Sequence, residues 1–268
     1  MNLLKGHKRA GFKGSYRFNE ERLNNQNCPM KIIKYNGNHD IMVEFQDKYL
    51  AKVHTNYDRF QRGNVKNPYY PSVYGVGMIG NKYASRINGI VVKEYDTWTT
   101  MLQRCYNMKF KERNPTYKDV ICCNEWLLYE NFYEWIHNQP NFDKWLNGDK
   151  WAIDKDILVK GNRIYSPNTC CLVPYIVNGL FEKGKAIRGD LPIGVGKSKK
   201  KFQARCRNPF TKKVERLGNY STPEEAFYVY KEYKENLIKQ VAQEEYNKGN
   251  ITKECYKAMI NYEVEITD

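Results

Sequence analysis

The sequence predicts an α+β fold shared among several small domains, and three stretches predict it. Near the N-terminus, residues 30–35 and 41–45 alternate apolar and polar side chains on either side of Asn36-Gly37, a strong hairpin-turn dipeptide. In the middle, residues 151–181 read as strand, polar loop, strand and helix. Toward the C-terminus, three alternating segments run into Thr222, Pro223 and Glu225, a capping box with proline at the first helical position.

Length and composition set the bounds. A chain of 268 residues exceeds one small core and suggests two or three modest domains. Hydrophobic residues make up 41% and aromatics 14%, enough apolar surface to exclude global disorder. Forty-four Lys and Arg against 30 Asp and Glu leave a net charge of +14, which favours polyanionic partners, nucleic acid first. No apolar run approaches the roughly 18 residues a bilayer span needs. The first residues, MNLLKGHKRAGF, lack a signal-peptide core, so a cytoplasmic location is expected, with no membrane partner. The eight cysteines include no C-x-x-C spacing. The vicinal pairs Cys122-Cys123 and Cys170-Cys171 point to opposite faces of a strand and suit reduced, half-buried thiols better than zinc.

In chain order, residues 1–27 read as a basic arm. Residues 28–80 read as a small twisted β-domain of roughly SH3-like size, with a turn at 46–48, a third strand at 50–53 and loop chemistry at 59–71. A linker covers 81–94. Residues 95–107 place Trp98, Met101, Leu102 and Cys105 at helical spacing, with Asp96 as N-cap. A basic loop follows at 109–115, then a second amphipathic helix over 125–137 with an aromatic core stripe and His137 at its end. These helices and the 151–181 stretch form one domain, 95–185. Residues 190–245 form a three-stranded sheet packed on one long helix, and 246–268 a last helix and tail.

Chemistry concentrates in the central stretch. Asp154 and Asp156 flank Lys155 on its first strand, read as 151–158. Asn168 precedes the second strand, 170–173, and Asn178 lies one turn into a helix opening at Pro174. Carboxylate and amide oxygens suit a hard divalent cation. The stretch WAIDKDILVKGNRIYSPNTCCLVPYIVNGLF resembles the ββα-metal motif of HNH endonucleases, especially their phage and homing-endonuclease branch. The resemblance implies that Asp154 binds Mg²⁺ or Mn²⁺ together with Asn178, that Asn168 orients the base, and that duplex DNA is nicked or cut. It also puts Lys155 where the family carries its general-base His. Lysine has a reference pKa of about 10.4 and stays charged at neutral pH unless desolvated. Losing a positioned base costs on the order of 100- to 10,000-fold. Three readings stay open: Asp156 or His137 supplies the base; the Lys155 pKa is depressed; or the unit persists as a DNA-binding shell that does not cut.

The C-terminal strands read as 193–197, 202–207 and 214–220. The following helix carries Ala226, Phe227, Tyr230, Tyr233, Leu237 and Val241 on one face. GVGKSKKKFQARC, LGNY and TPEEAF resemble the ethylene-response-factor type of DNA-binding domain, whose sheet lies in the major groove. The resemblance implies DNA contacts from Arg205, Arg207 and Arg216 on the strands and from Lys199, Lys200, Lys201, Lys212 and Lys213 in the turns. The tryptophan common on the second strand of such domains is missing, with Phe202 nearby. The expected partner is double-stranded DNA, bound by a protein of the HNH endonuclease type. The alternatives are a catalytically inactive DNA-binding or regulatory protein, or one that meets RNA or an acidic host protein.

Overall fold

The computed structural model describes residues 17–148, 150–182 and 189–268. Helices and strands are mixed along the chain, which divides into two compact units. One comprises residues up to 117 with 124–133, the other 118–123 with 134–268. Among the described residues, no helix is long and apolar enough to cross a membrane.

The first unit opens on an antiparallel sheet in the order β1 (Glu21–Leu23), β2 (Pro29–Gly37), β3 (Asp40–Phe45) and β4 (Lys52–Thr55). Period-two alternation sends Met30, Ile32, Ile41, Val43 and Phe45 to one face, where Phe60 of the short helix α1 (Tyr57–Gln61) completes a core fully closed to solvent. Three details differ from the sequence reading. β1 lies inside the segment read as an arm, because three exposed residues carry no apolar alternation to betray it. The hairpin turns at Asn38-His39, and Gly37, at φ +138°, ends β2 with a register shift. Finally, Asp47 Oδ1 accepts from the N–H groups of Tyr49 and Leu50 and holds Leu50 at φ +49°, so the next strand starts at Lys52 and not at Leu50.

After the small hairpin of β5 (Arg86–Ile87) and β6 (Ile90–Val91) comes α2 (Lys93–Tyr106). Its N-cap is Val92, and Asp96 sits in the first turn, where its charge suits the helix dipole. The stretch read as a basic loop is α3 (Met108–Arg113), started by Asn107, whose side chain accepts from Phe110 N–H. After β7 (Ile121–Cys122), a 3₁₀ turn at Glu125–Leu127 leads into α4 (Tyr129–His137). Trp98, Trp126, Tyr129 and Phe132 are fully buried, and Trp98 Nε1 donates to the Trp126 carbonyl at 2.7 Å.

The second unit holds β7, α5 (Phe142–Leu146), β8 (Trp151–Asp154), β9 (Ile164–Tyr165), β10 (Cys171–Pro174) and α6 (Tyr175–Asn178). β8 pairs antiparallel with β10, and β7 parallel with β9. Then follow β11 (Val195–Ser198), β12 (Lys201–Arg207) and β13 (Val214–Tyr220) as one antiparallel sheet, α7 (Pro223–Asn247) and α8 (Lys253–Ile260). Thr222 Oγ1 accepts from Glu225 N–H while Glu225 Oε2 accepts from Ser221 and Thr222 N–H, so α7 starts on a complete capping box.

One core runs through this unit. Phe227, Tyr230, Ile238 and Val241 of α7 pack under Val195, Ala204 and Cys206, and the same cluster takes in Ile157, Cys171, Val173 and Val177 with Cys255 and Met259 of α8. The β8–β10–α6 stretch and the terminal sheet are therefore walls of a shared core. All eight cysteines are free thiols. Residues 183–188, within or beside two of the domains read from sequence, lie outside the described residues, as do 1–16 of the arm.

Gly194 shows how tightly the sheet is set on α7. It sits at φ +77°, and a Cβ there would come within 2.1 Å of the Tyr230 ring. Gly194→Ala combines a left-handed backbone with overpacking and is expected to cost about 2–4 kcal/mol. The check is urea unfolding, where the midpoint should fall with an unchanged slope.

Candidate nucleic-acid interface

The β8–β10–α6 stretch has strand, loop, strand and helix in the order the sequence suggests, and Asp154, Lys155 and Asn162 spend their side chains on the loop after β8. β8 stops at Asp154, which pairs with Cys171. Asp154 Oδ1 accepts from the N–H groups of Asp156 (2.8 Å) and Ile157 (2.9 Å), and this carboxylate anchors the loop that breaks the strand. Burial, reinforced by the neighbouring Asp156 charge, pushes the Asp154 carboxyl up to about 6. Lys155 Nζ contacts Asp156 Oδ2 at 3.2 Å and donates to the Asn162 carbonyl at 3.1 Å. Asn162 Nδ2 returns a bond to the Lys155 carbonyl, closing the loop on itself. Lys155 is thus a loop tie. Asn168 is exposed in the turn between Ser166 and Thr169, and Asn178 is half-buried at the last residue of α6. The His137 ring packs at a tilt of 33° against Phe142, with ring centroids 3.9 Å apart.

The electrostatics around this loop are acidic. Lys160 Nζ lies 3.4 Å from Glu265 Oε1 and 3.1 Å from Asp268 Oδ2, and donates to the Glu263 carbonyl. Burial raises the Tyr262 phenol, and Asp268, Asp156, Glu265 and Asp154 all push it further. Among the described residues, no three His, Cys, Asp or Glu side chains converge as metal ligands. Asp154 and Asn178 would be the protein oxygens for a divalent cation, and one oxygen of that carboxylate already accepts two N–H bonds. Oδ1 of Asp154 is therefore a loop anchor, and a hard divalent cation held by these two side chains would draw most of its roughly six oxygens from water.

The terminal sheet offers the opposite chemistry. Alternation turns Ala204 and Cys206 down onto α7 and leaves Arg205 and Arg207 exposed on the other face. The register sets Arg205 directly opposite Arg216, Arg207 opposite Val214 and Gln203 opposite Asn219. A bulge beside Arg205 accommodates Leu217, which packs against the core. Gly196 leaves room for the guanidinium of Arg205, since a Cβ there would lie 3.2 Å from Arg205 Cζ. Among the described residues, none of Arg205, Arg207 and Arg216 has a carboxylate partner. Glu215 pairs with Cys206 and is reached by the Thr211 hydroxyl.

Lys199 and Lys200 lie in the turn at one end of the sheet, with Lys201 opening β12 beside them, and Lys212 and Lys213 lie at the other end. Lys199 (φ +55°) and Lys212 (φ +59°) occupy left-handed positions where glycine or asparagine would sit without strain. Gln203 and Asn219 were not singled out from sequence. Gln203 carried a signal, since it shares the parity of Arg205, but Asn219 lies three residues from Arg216 and comes opposite Gln203 only through the bulge. No family model, no curated protein and no solved structure matches the chain.

Proposed function

We propose that the chain binds double-stranded DNA through the outer face of β11–β13, and that the β8–β10–α6 stretch acts as a core wall and not as a cleavage centre. The observation that carries this reading is the Arg205–Arg216 pair. Like charges set opposite each other across two strands are destabilising. A polyanion laid on the face neutralises both and turns that cost into affinity. Arginine can pair bidentately with guanine, and the amides of Gln203 and Asn219 are suited to adenine, while the turn lysines suit phosphates. The loop at Asp154 supports the non-catalytic half of the reading, since its acidic surroundings repel a phosphodiester and its lysine is tied to Asp156.

Duplex binding should fall steeply with salt. If the five lysines at the ends of the sheet each neutralise one phosphate, affinity drops roughly 500-fold between 50 and 200 mM salt. Mg²⁺, Mn²⁺ or chelator should make no difference, and supercoiled plasmid should survive each metal intact. Salt-indifferent binding would remove the reading. Relaxed plasmid, lost in Asp154→Ala and Asn178→Ala, would instead establish the HNH-type hydrolysis whose support is the raised Asp154 carboxyl beside Asp156.

A further inference from the structure

We propose that the open edge of β4 docks an extended acidic peptide of another protein as a fifth strand of the N-terminal sheet. β4 is a terminal strand in the order β1-β2-β3-β4. Phe45 N–H donates to the Ala51 carbonyl at 2.9 Å, and this fixes the alternation along the β3–β4 ladder. Val53, opposite Val43, therefore spends its N–H and C=O on β3, while Lys52 and His54 turn theirs outward. A bare strand edge of this kind is a template for pairing.

Beside that edge lies a cleft of 530 Å³, with Lys52, Val53 and His54 lining it along with Lys66, Asn67 and Pro68 from the following segment. Its lining includes two lysines and a histidine and no carboxylate. Lys52 Nζ is 3.7 Å from the half-buried Glu44 Oε2 and His54 Nε2 is 2.7 Å from Asp40 Oδ1, but the Lys52 and His54 side chains are themselves largely exposed and open to an incoming carboxylate. Lys66 has no ion-pair partner among the described residues. A four-residue edge spans roughly 13 Å, the length of a short extended segment. Outward N–H and C=O groups repeating at strand period are matched together by another peptide backbone, whereas the phosphates of a nucleic-acid strand take up the N–H groups alone. The lysines then select acidic side chains on the added strand.

The test uses the whole chain with three probes: a ten-residue peptide alternating Glu and Val, one alternating Lys and Val, and a ten-nucleotide oligo-dT. The acidic peptide should bind at least about tenfold more tightly than the basic one and slow hydrogen exchange at the Lys52 and His54 amides. Lys52→Glu combined with Lys66→Glu should reverse the preference. His54→Pro removes a cleft-facing N–H, leaves the β3 ladder intact and should weaken the acidic peptide about tenfold. Hydrogen exchange on the unaltered chain reads the docking mode whatever the variants do to folding. The proposal falls if the acidic peptide shows no preference, if those two amides exchange as before, or if oligo-dT is the probe that protects them.

Discussion

Replacing Arg205 and Arg216 together by alanine is expected to weaken duplex binding by about 100-fold while leaving the fold as stable as before. A well-placed arginine at a base edge contributes about 1–3 kcal/mol, so two at about 1.4 kcal/mol each give close to 2.8 kcal/mol and two decades of affinity. The stability half of the expectation follows from the same geometry. These side chains stand directly opposite each other on β12 and β13 with no carboxylate partner, so removing them relieves repulsion and empties no part of the core. Fluorescence anisotropy with a labelled duplex gives the first number and thermal unfolding the second. Lys212→Ala with Lys213→Ala supplies the contrast, since phosphate contacts lower affinity uniformly across sequences and reduce the salt slope by about one each. A double arginine variant that binds duplex as the parent does would remove the sheet face from the interface.

The terminal sheet and its helix were readable because each residue there reports on local geometry. Thr222, Pro223 and Glu225 encode a helix start within four residues, and the capping box forms with both reciprocal bonds in place. Strict alternation along 201–207 likewise separates Ala204 and Cys206 from Arg205 and Arg207 without knowledge of the rest of the fold. The N-terminal hairpin was less legible. Asn36-Gly37 is a strong turn signal, yet the turn closes two residues later at Asn38-His39. β1 stayed hidden because a short polar edge strand is defined by its partner and not by its own pattern.

The central stretch marks a different limit. Spacing placed Asp154 inside a strand read as 151–158 and Asn178 one turn into a helix, whereas the strand stops at Asp154 and Asn178 is the last residue of α6. Spacing says nothing about where a carboxylate spends its lone pairs. Only the bend after Asp154 brings the Asp156 and Ile157 amides onto Oδ1 and turns a candidate ligand into a loop anchor. Nor could the pattern show that Ile157, Cys171 and Val177 lie in one core with α7, a long-range fact that merges two segments which sequence reading keeps apart.

Asp154→Asn is expected to stabilise the protein above pH 6, whereas Asp154→Ala stays less stable than Asp154→Asn at every pH. The folded-state carboxyl titrates near 6, above the ordinary aspartate value of about 3.9, because burial and the Asp156 charge disfavour ionisation. The folded chain therefore binds more protons than the unfolded chain between those values. The contribution of Asp154 to stability is fully present below about pH 4 and is lost as pH rises through 6, a decline of roughly 3 kcal/mol for a shift of two units. Asparagine keeps the oxygen that accepts from Asp156 and Ile157 and carries no charge, so the variant should show no such decline. Alanine leaves two amides without an acceptor and should lie about 1–3 kcal/mol below Asp154→Asn at either end of the range. Urea unfolding at pH 4.5 and 7.5 separates the three proteins. The same measurement with Mg²⁺ at pH 7.5 bears on the metal: a cation held by Asp154 would stabilise the unaltered chain and draw its carboxyl back down, and would do neither in Asp154→Asn. With Oδ1 already committed to the backbone, the unfolding midpoint is expected to be indifferent to Mg²⁺ in both.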